Sequence, residues 1–228
     1  MEYLHNGFTL ELCQGAFPLS TDSIALSGFA RLPKQATVLD LGAGCGTLGL
    51  LLCAKVQGCT VTGIEVDENA HRTALKNAES NQLSSRLTSI CADLRTVPSL
   101  FASGSFHCCI SNPPYFSAEQ ESANGATRHE QLCTLDDLFT AAGWAVRYGG
   151  DFFFVHKPER LAEACACAAA HKLEPKRLQL LRHKASDPIS LILLQCRKGA
   201  KPGLIIEEAY LQEPGGEPSE YYRRLYHI

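Results

Sequence analysis

The 228-residue sequence predicts an α/β fold, with a mostly parallel sheet, helices on both faces and a C-terminal antiparallel hairpin. Three observations carry this. From residue 36 onward, short β-branched or apolar runs alternate with segments of helical period, the pattern of successive βαβ units. The first run ends in a glycine-rich turn that opens directly into a helix. The runs 176–184 and 189–198 are separated only by Ala185-Ser186-Asp187-Pro188, too short for a helical crossover, so they should pair antiparallel.

Strands are expected over 36–41, 59–66, 86–92, 105–111 and 150–156. Helices fit between them. One spans about 47–56, and a second spans 67–79 with acids at its start, where the helix dipole favours them. A third begins at Thr134, capped with Asp137 three residues on, and a fourth has Pro158 in its first turn. Residues 117–133 form a polar loop between a strand end and a capped helix, a position suited to a lid. A single domain is expected over 1–228, with an N-terminal cap segment (1–35), a core (36–201) and a C-terminal tail (202–228).

Composition narrows the class. An apolar content of 45% with 20% charged residues excludes a disordered or fibrous chain. No run approaches the roughly 18 apolar residues of a membrane span, and the start lacks the basic-then-apolar order of a secretory signal, so a cytoplasmic protein is expected. The 11 cysteines are odd in number and lie mostly in apolar runs such as FHCCI and LILLQC. They read as reduced and buried, and without C-x2-C pairs no metal is expected.

The net charge of -3 is unevenly spread. Residues 1–150 carry 9 Lys and Arg against 14 Asp and Glu, residues 151–201 carry 10 against 5, and the remainder 2 against 5. A basic band thus lies between two acidic stretches, an arrangement that can attract a polyanion locally.

The first chemical motif is Asp40-Leu41-Gly42-Ala43-Gly44-Cys45-Gly46. Glycines at alternate positions let the backbone approach a ligand closely. Glu65, at the end of the second strand, stands where a carboxylate can accept both hydroxyls of a ribose. Gly44-x-Gly46-x-x-Gly49 also satisfies a dinucleotide fingerprint, so a nicotinamide oxidoreductase competes. Charge discriminates. A dinucleotide brings an anionic diphosphate, whereas S-adenosylmethionine is a net cation that suits a pocket holding Asp40 and Glu65 with Asp22 and Asp93 nearby. Asp93, after the third strand, is placed to accept from an adenine amino group.

The second motif, Asn112-Pro113-Pro114-Tyr115, ends the fourth strand. In an open α/β sheet this end faces the same crevice as the glycine turn. Two prolines stiffen the chain and remove donors, leaving the Asn112 side-chain oxygen and the Pro113 carbonyl as acceptors. Holding the N–H bonds of a conjugated amine in this way favours a pyramidal nitrogen and frees its lone pair. Tyr115 offers a face for stacking a planar base, and no strong general base is needed.

With these motifs the chain resembles class I S-adenosylmethionine-dependent methyltransferases, which have a Rossmann-like sheet. Within that class it resembles the bacterial tRNA1(Val) (adenine-N6)-methyltransferase family. The resemblance runs along essentially the whole chain. It includes Ser20-Thr21-Asp22, Thr127-Arg128-His129-Glu130 and Val155-His156-Lys157-Pro158-Glu159-Arg160-Leu161. It implies S-adenosylmethionine as cofactor, with Asp40, Gly42, Gly44, Gly46 and Glu65 around its aminoacyl and ribose parts and Asp93 at its adenine. Thr21 and Asp22 would close over it, and Asn112 to Tyr115 would hold the target amine, with Asn112 bordering both ligands. Arg128 and His129 match family positions without a role that the residues define.

Enzymes methylating a glutamine amide share Asn-Pro-Pro-Tyr, because that nitrogen poses the same electronic problem. They usually carry a helical domain for which the 35 residues before the first strand leave no room, and DNA adenine enzymes add a recognition domain that is also missing. Structured RNA with a flipped adenine is therefore the expected substrate, ahead of a protein amide, a small molecule or a non-enzymatic RNA-binding role, and the resemblance implies that this RNA is tRNA, methylated in the anticodon loop. Lys172, Lys176, Arg177, Arg182, Lys184, Arg197, Lys198 and Lys201 are the expected phosphate contacts, flanking the catalytic face.

Overall fold

The structure is a computed structural model that describes residues 2–4, 7–16, 18–113 and 133–226. A short antiparallel ladder, β1 (Glu2–Tyr3) with β2 (Thr9–Leu10), precedes helix α1 (Thr21–Phe29). There follow β3 (Thr37–Leu41), α2 (Thr47–Lys55), β4 (Thr60–Glu65), α3 (Glu68–Ser80), β5 (Leu87–Cys91), α4 (Val97–Leu100) and β6 (Phe106–Ser111). The chain continues through α5 (Leu135–Ala145), β7 (Val146–His156), α6 (Leu161–Ala170), β8 (Leu173–Lys184), β9 (Ile189–Lys198), β10 (Ile205–Gln212) and α7 (Glu220–Tyr226).

The main sheet has the order β10-β8-β9-β7-β6-β3-β4-β5. Only β9 runs against the others, pairing antiparallel with β7 on one side and β8 on the other. The expected parallel sheet with a terminal hairpin is therefore present. Side-chain alternation divides the core into two layers. Phe153, Val155, Cys108 and Ile110 join α1 and α2 on one face, while Phe152, Phe154 and Cys109 join α5 on the other. Phe139 of α5 meets Phe152 edge to face, with ring centroids 5.2 Å apart. The adjacent Cys108 and Cys109 thus pack into opposite layers, as buried free thiols.

The helix starts follow the local signals. Asp67 caps α3 through the Ala70 N–H at 2.8 Å, and Thr134 with Asp137 forms a reciprocal capping box on α5. At Pro158 a single 3-10 turn, Pro158–Arg160, comes before α6.

Two expectations need correction. The fifth expected strand starts at Val146, four residues early, because a register shift between Phe106 and Cys108 lets the chain pair on both sides of Gly149-Gly150. At Gly150 a Cβ would lie 2.5 Å from the His107 carbonyl oxygen, so only glycine permits this approach. Residues 202–228 are also not merely a tail, since they supply β10 and α7. β10 pairs parallel with β8, and its acids answer basic residues there, Arg177 with Glu207 at 3.3 Å and Arg182 with Glu208 at 3.6 Å. No helix among the described residues is long and apolar enough to cross a membrane.

Candidate active site

The carboxyl ends of β3, β4, β5 and β6 lie side by side in the sheet and bring the predicted residues together. After β3 the N–H groups of Gly42 and Ala43 both donate to the Ile64 carbonyl at 3.0 Å, folding the turn over β4. Gly42, Gly44 and Gly46 have φ of 76°, 55° and 83°, a conformation that glycine adopts without a Cβ penalty. At Gly42 and Gly44 a Cβ would enter open space, whereas at Gly46 it would press on Ala74. Two glycines therefore leave a bare backbone surface, and the third seats α2 against α3.

Glu65 closes this turn. Its Oε2 accepts the Gly44 N–H at 2.7 Å and its Oε1 accepts the Asp67 N–H at 2.8 Å, leaving further lone pairs on each oxygen. Beneath it Asp40 is 1% exposed, and among the described residues neither carboxylate oxygen has a hydrogen-bond partner. Burial, then the Glu65 charge, pushes its carboxyl up to about 8. Burial thus favours the protonated form of Asp40, against the expectation of two standing negative charges here.

Asp93 follows β5 and turns back locally. Its carboxylate accepts from the Arg95 backbone N–H at 2.9 Å and from the Arg95 guanidinium, which holds its carboxyl below the usual range.

At the end of β6, Ser111 is fully buried and its hydroxyl donates to the Leu41 carbonyl at 2.7 Å, locking this strand end to that of β3. Asn112 follows, and its Nδ2 donates to Ser23 Oγ at 3.0 Å. Pro113 is half-buried; Pro114, Tyr115, Arg128 and His129 lie outside the described residues. The first turn of α1 carries Thr21, Asp22 and Ser23 beside Asn112, and Ser20 caps it through the Ser23 N–H. Thr21 Oγ1 lies 3.3 Å from the Tyr226 hydroxyl of α7.

The arrangement suits S-adenosylmethionine. A bare glycine surface, a half-buried carboxylate on Glu65 and a buried acid at Asp40 without a partner among the described residues match a ligand with hydroxyls and positive charge. Over residues 23–168 the sequence matches the model of the methyltransferase small domain. The chain belongs to that methyltransferase family. S-adenosylmethionine is its cofactor.

Relatives of this methyltransferase include proteins named tRNA1(Val) (adenine(37)-N6)-methyltransferase. The one from Shewanella halifaxensis is 31% identical over 62% of this chain and 58% of its own length. The one from Photobacterium profundum is 26% identical over 91% of this chain and 88% of its own. The chain thus spans under two thirds of the Shewanella relative. Among solved structures, a predicted O-methyltransferase from Agrobacterium tumefaciens has a TM-score of 0.77 at 19% identity, covering 91% of this chain and 96% of that one. A geranyl diphosphate C-methyltransferase from Streptomyces coelicolor has a TM-score of 0.57 at 11% identity, covering 77% and 76%. These two establish the fold.

The basic band does not form one face of the methyltransferase. Lys172 precedes β8, its carbonyl bonded to Gly199, and Lys176 donates to the Lys201 carbonyl at 3.0 Å. Both lie with Arg197 and Lys198 toward the sheet edge opposite the site. Lys198 is 7% exposed and donates to the Val146 carbonyl, and Arg197 is paired in a fork with Asp151. Arg177 sits 4.3 Å over the Phe29 ring and bonds Gln195. Of the expected phosphate contacts only Arg182 and Lys184 reach the edge that carries the site, and Arg182 is held by the Asp187 carbonyl and Glu208. Strand β8 has 12 residues, so its two ends are roughly 40 Å apart. Sequence proximity concealed that separation.

Ser23 and Tyr226 were missed by sequence reasoning. Ser23 sits in an apolar run without a motif of its own, and Tyr226 reaches the first turn of α1 only through the docking of α7.

Proposed function

We propose that this methyltransferase methylates N6 of an adenine in tRNA, in the anticodon loop. The observation that carries the reading is Asn112 at the carboxyl end of β6, its amide nitrogen bound to Ser23, one strand from the Asp40 to Gly46 turn. In this reading the Asn112 amide oxygen and the Pro113 carbonyl accept the N–H bonds of a target amine and free its lone pair. The names of the relatives support adenine in tRNA as the source of that amine.

S-adenosylmethionine supplies a sulfonium-activated methyl group when bound. Asp40, Gly42, Gly44 and Glu65 hold its aminoacyl and ribose parts, Gly46 shapes the turn, Asp93 takes its adenine, and Thr21 and Asp22 border it. A flipped adenine stacks on Tyr115, and Lys184 with Arg182 contacts phosphates. The chain acts as one domain, in the cytoplasm where tRNA is found.

The test is incubation with methyl-labelled S-adenosylmethionine and unmodified bulk tRNA, followed by digestion to nucleosides and mass identification. Labelled N6-methyladenosine is expected, and with Asn112→Ala it should fall by at least about a hundredfold while donor affinity stays near wild type. A labelled protein amide with no labelled nucleoside would overturn the reading.

A further inference from the structure

Alternate residues of the segment 9–13 are tied down by Asn77 in α3 and Asn81 at its end. Asn81 accepts the Thr9 N–H and donates to the Thr9 carbonyl, both at 2.8 Å. Two residues on, Asn77 accepts the Glu11 N–H at 2.8 Å and donates to the Glu11 carbonyl at 2.9 Å. Each amide oxygen faces a backbone donor and each amide nitrogen a backbone acceptor, so both orientations are fixed. Asn77, 2% exposed, also donates to the Cys45 carbonyl at 2.9 Å, which joins this segment to the glycine turn. The next alternate residue is Cys13.

Cys13 rests on Cys45. Its N–H donates to Cys45 Sγ at 3.5 Å, and the two sulfurs are 3.6 Å apart. Both are free thiols, Cys13 half-buried and Cys45 3% exposed, so an oxidant arriving from solvent meets Cys13 first. Burial pushes the Cys45 thiol up and keeps it neutral. A disulfide needs its sulfurs about 2 Å apart, so closing this pair requires a further approach of roughly 1.5 Å. The Cys45 carbonyl is pinned by Asn77, and Cys13 ends a segment held by both asparagines, so the movement falls on Gly44, which has φ of 55°. Gly44 is also where the turn meets Glu65, its N–H 2.7 Å from Oε2.

We infer that Cys13 and Cys45 are a peroxide-responsive pair whose disulfide draws the glycine turn toward the N-terminal segment and weakens donor binding. The Cys13 thiolate attacks hydrogen peroxide, forming an S–O bond and breaking the O–O bond, and hydroxide leaves. The Cys45 sulfur then attacks the Cys13 sulfur of the resulting sulfenic acid. An S–S bond forms, the S–O bond breaks, and the Cys45 proton departs with that oxygen as water. Two thiols lose two protons and two electrons, and peroxide is reduced to two waters. Contact between the sulfurs favours this closure over further oxidation of Cys13. The effect on the donor rests on its placement at the Asp40 to Gly46 turn.

The test treats the full chain with hydrogen peroxide, blocks the remaining thiols under denaturing conditions and identifies linked peptides by mass. A peptide joining Cys13 to Cys45 is expected. Titration calorimetry should then give an affinity for S-adenosylmethionine at least about tenfold below that of the reduced protein, restored by dithiothreitol. By linkage, saturating donor should make the pair easier to reduce, by about 30 mV for a tenfold difference. Cys13→Ser should bind the donor within about twofold of the reduced wild type and lose no affinity to peroxide. Should that variant melt well below wild type, Cys13→Ala takes its place. Absence of the linked peptide, a linked protein with unchanged donor affinity, or equal peroxide losses in wild type and the Cys13 variant would each overturn the inference. Unchanged donor affinity in Glu65→Ala would instead overturn the placement of the donor, and the linked peptide would still form.

Discussion

Asp40 and Glu65 occupy adjacent strand ends yet meet different environments, and each leads to a measurement. Asp40 is buried without a partner among the described residues, and its carboxyl is pushed up to about 8 first by burial and then by Glu65. A raised carboxyl makes the folded state bind a proton that the unfolded state has released, so its contribution is present below pH 4 and is lost as pH rises toward 8. A cation beside Asp40 favours the ionised form. Donor binding below pH 8 should therefore release a proton, and affinity should rise with pH up to that value. Titration calorimetry in buffers of different ionisation enthalpy reads the proton directly, and Asp40→Asn should abolish the release. Glu65 instead ties Gly44 to Asp67 through two backbone N–H groups. Glu65→Ala should weaken donor binding by at least about tenfold, through lost ligand contacts and a loosened turn, with a smaller effect on turnover at saturating donor.

Among the elements, the hairpin shows how strand geometry distributes charge. A basic run that looks continuous in sequence is spread along β8 and β9, whose ends reach opposite edges of the sheet. Arg177, Lys198 and Arg197 are occupied by Phe29 and Gln195, by the Val146 carbonyl and by Asp151. Lys184 lies on the edge with the carboxyl ends of β6 and β7, and Lys172 on the other. Lys184→Glu should raise the Michaelis constant for tRNA and lower its salt dependence, while Lys172→Glu should leave both near wild type. Equal effects at both positions would show that RNA spans the whole sheet.

At the scale of the whole molecule, β10 and α7 complete the fold around the site. β10 covers the edge of β8 and α7 bears on α1, the helix that holds Ser23 against Asn112. Removing residues 202–228 should lower the unfolding free energy by at least about 2 kcal/mol, from exposed apolar surface and from the unpaired Arg177 and Arg182. Urea denaturation with the matching turnover assay should show the loss in both, since α1 loses its outer support.

Local physics made much of this protein legible. Strand alternation, the caps at Asp67 and Thr134, the glycine turn and the short connection of the hairpin each depend on neighbours within a few residues, and each appears where the sequence predicts it. Adjacent strand ends then bring Asp40, Glu65, Asp93 and Asn112 to one edge, because a parallel sheet aligns its carboxyl ends. Tertiary packing decided the rest. Whether Asp40 carries a charge depends on burial, which Arg or Lys is available for phosphate depends on partners distant in sequence, and Asn112 meets Ser23, 89 residues away. The early start of β7 depends on the close approach of Gly150 to His107, and β10 forms by pairing its backbone parallel to β8, with Ile205 opposite Arg177. Each of these is a long-range interaction, and its energy exists only once the chain has folded.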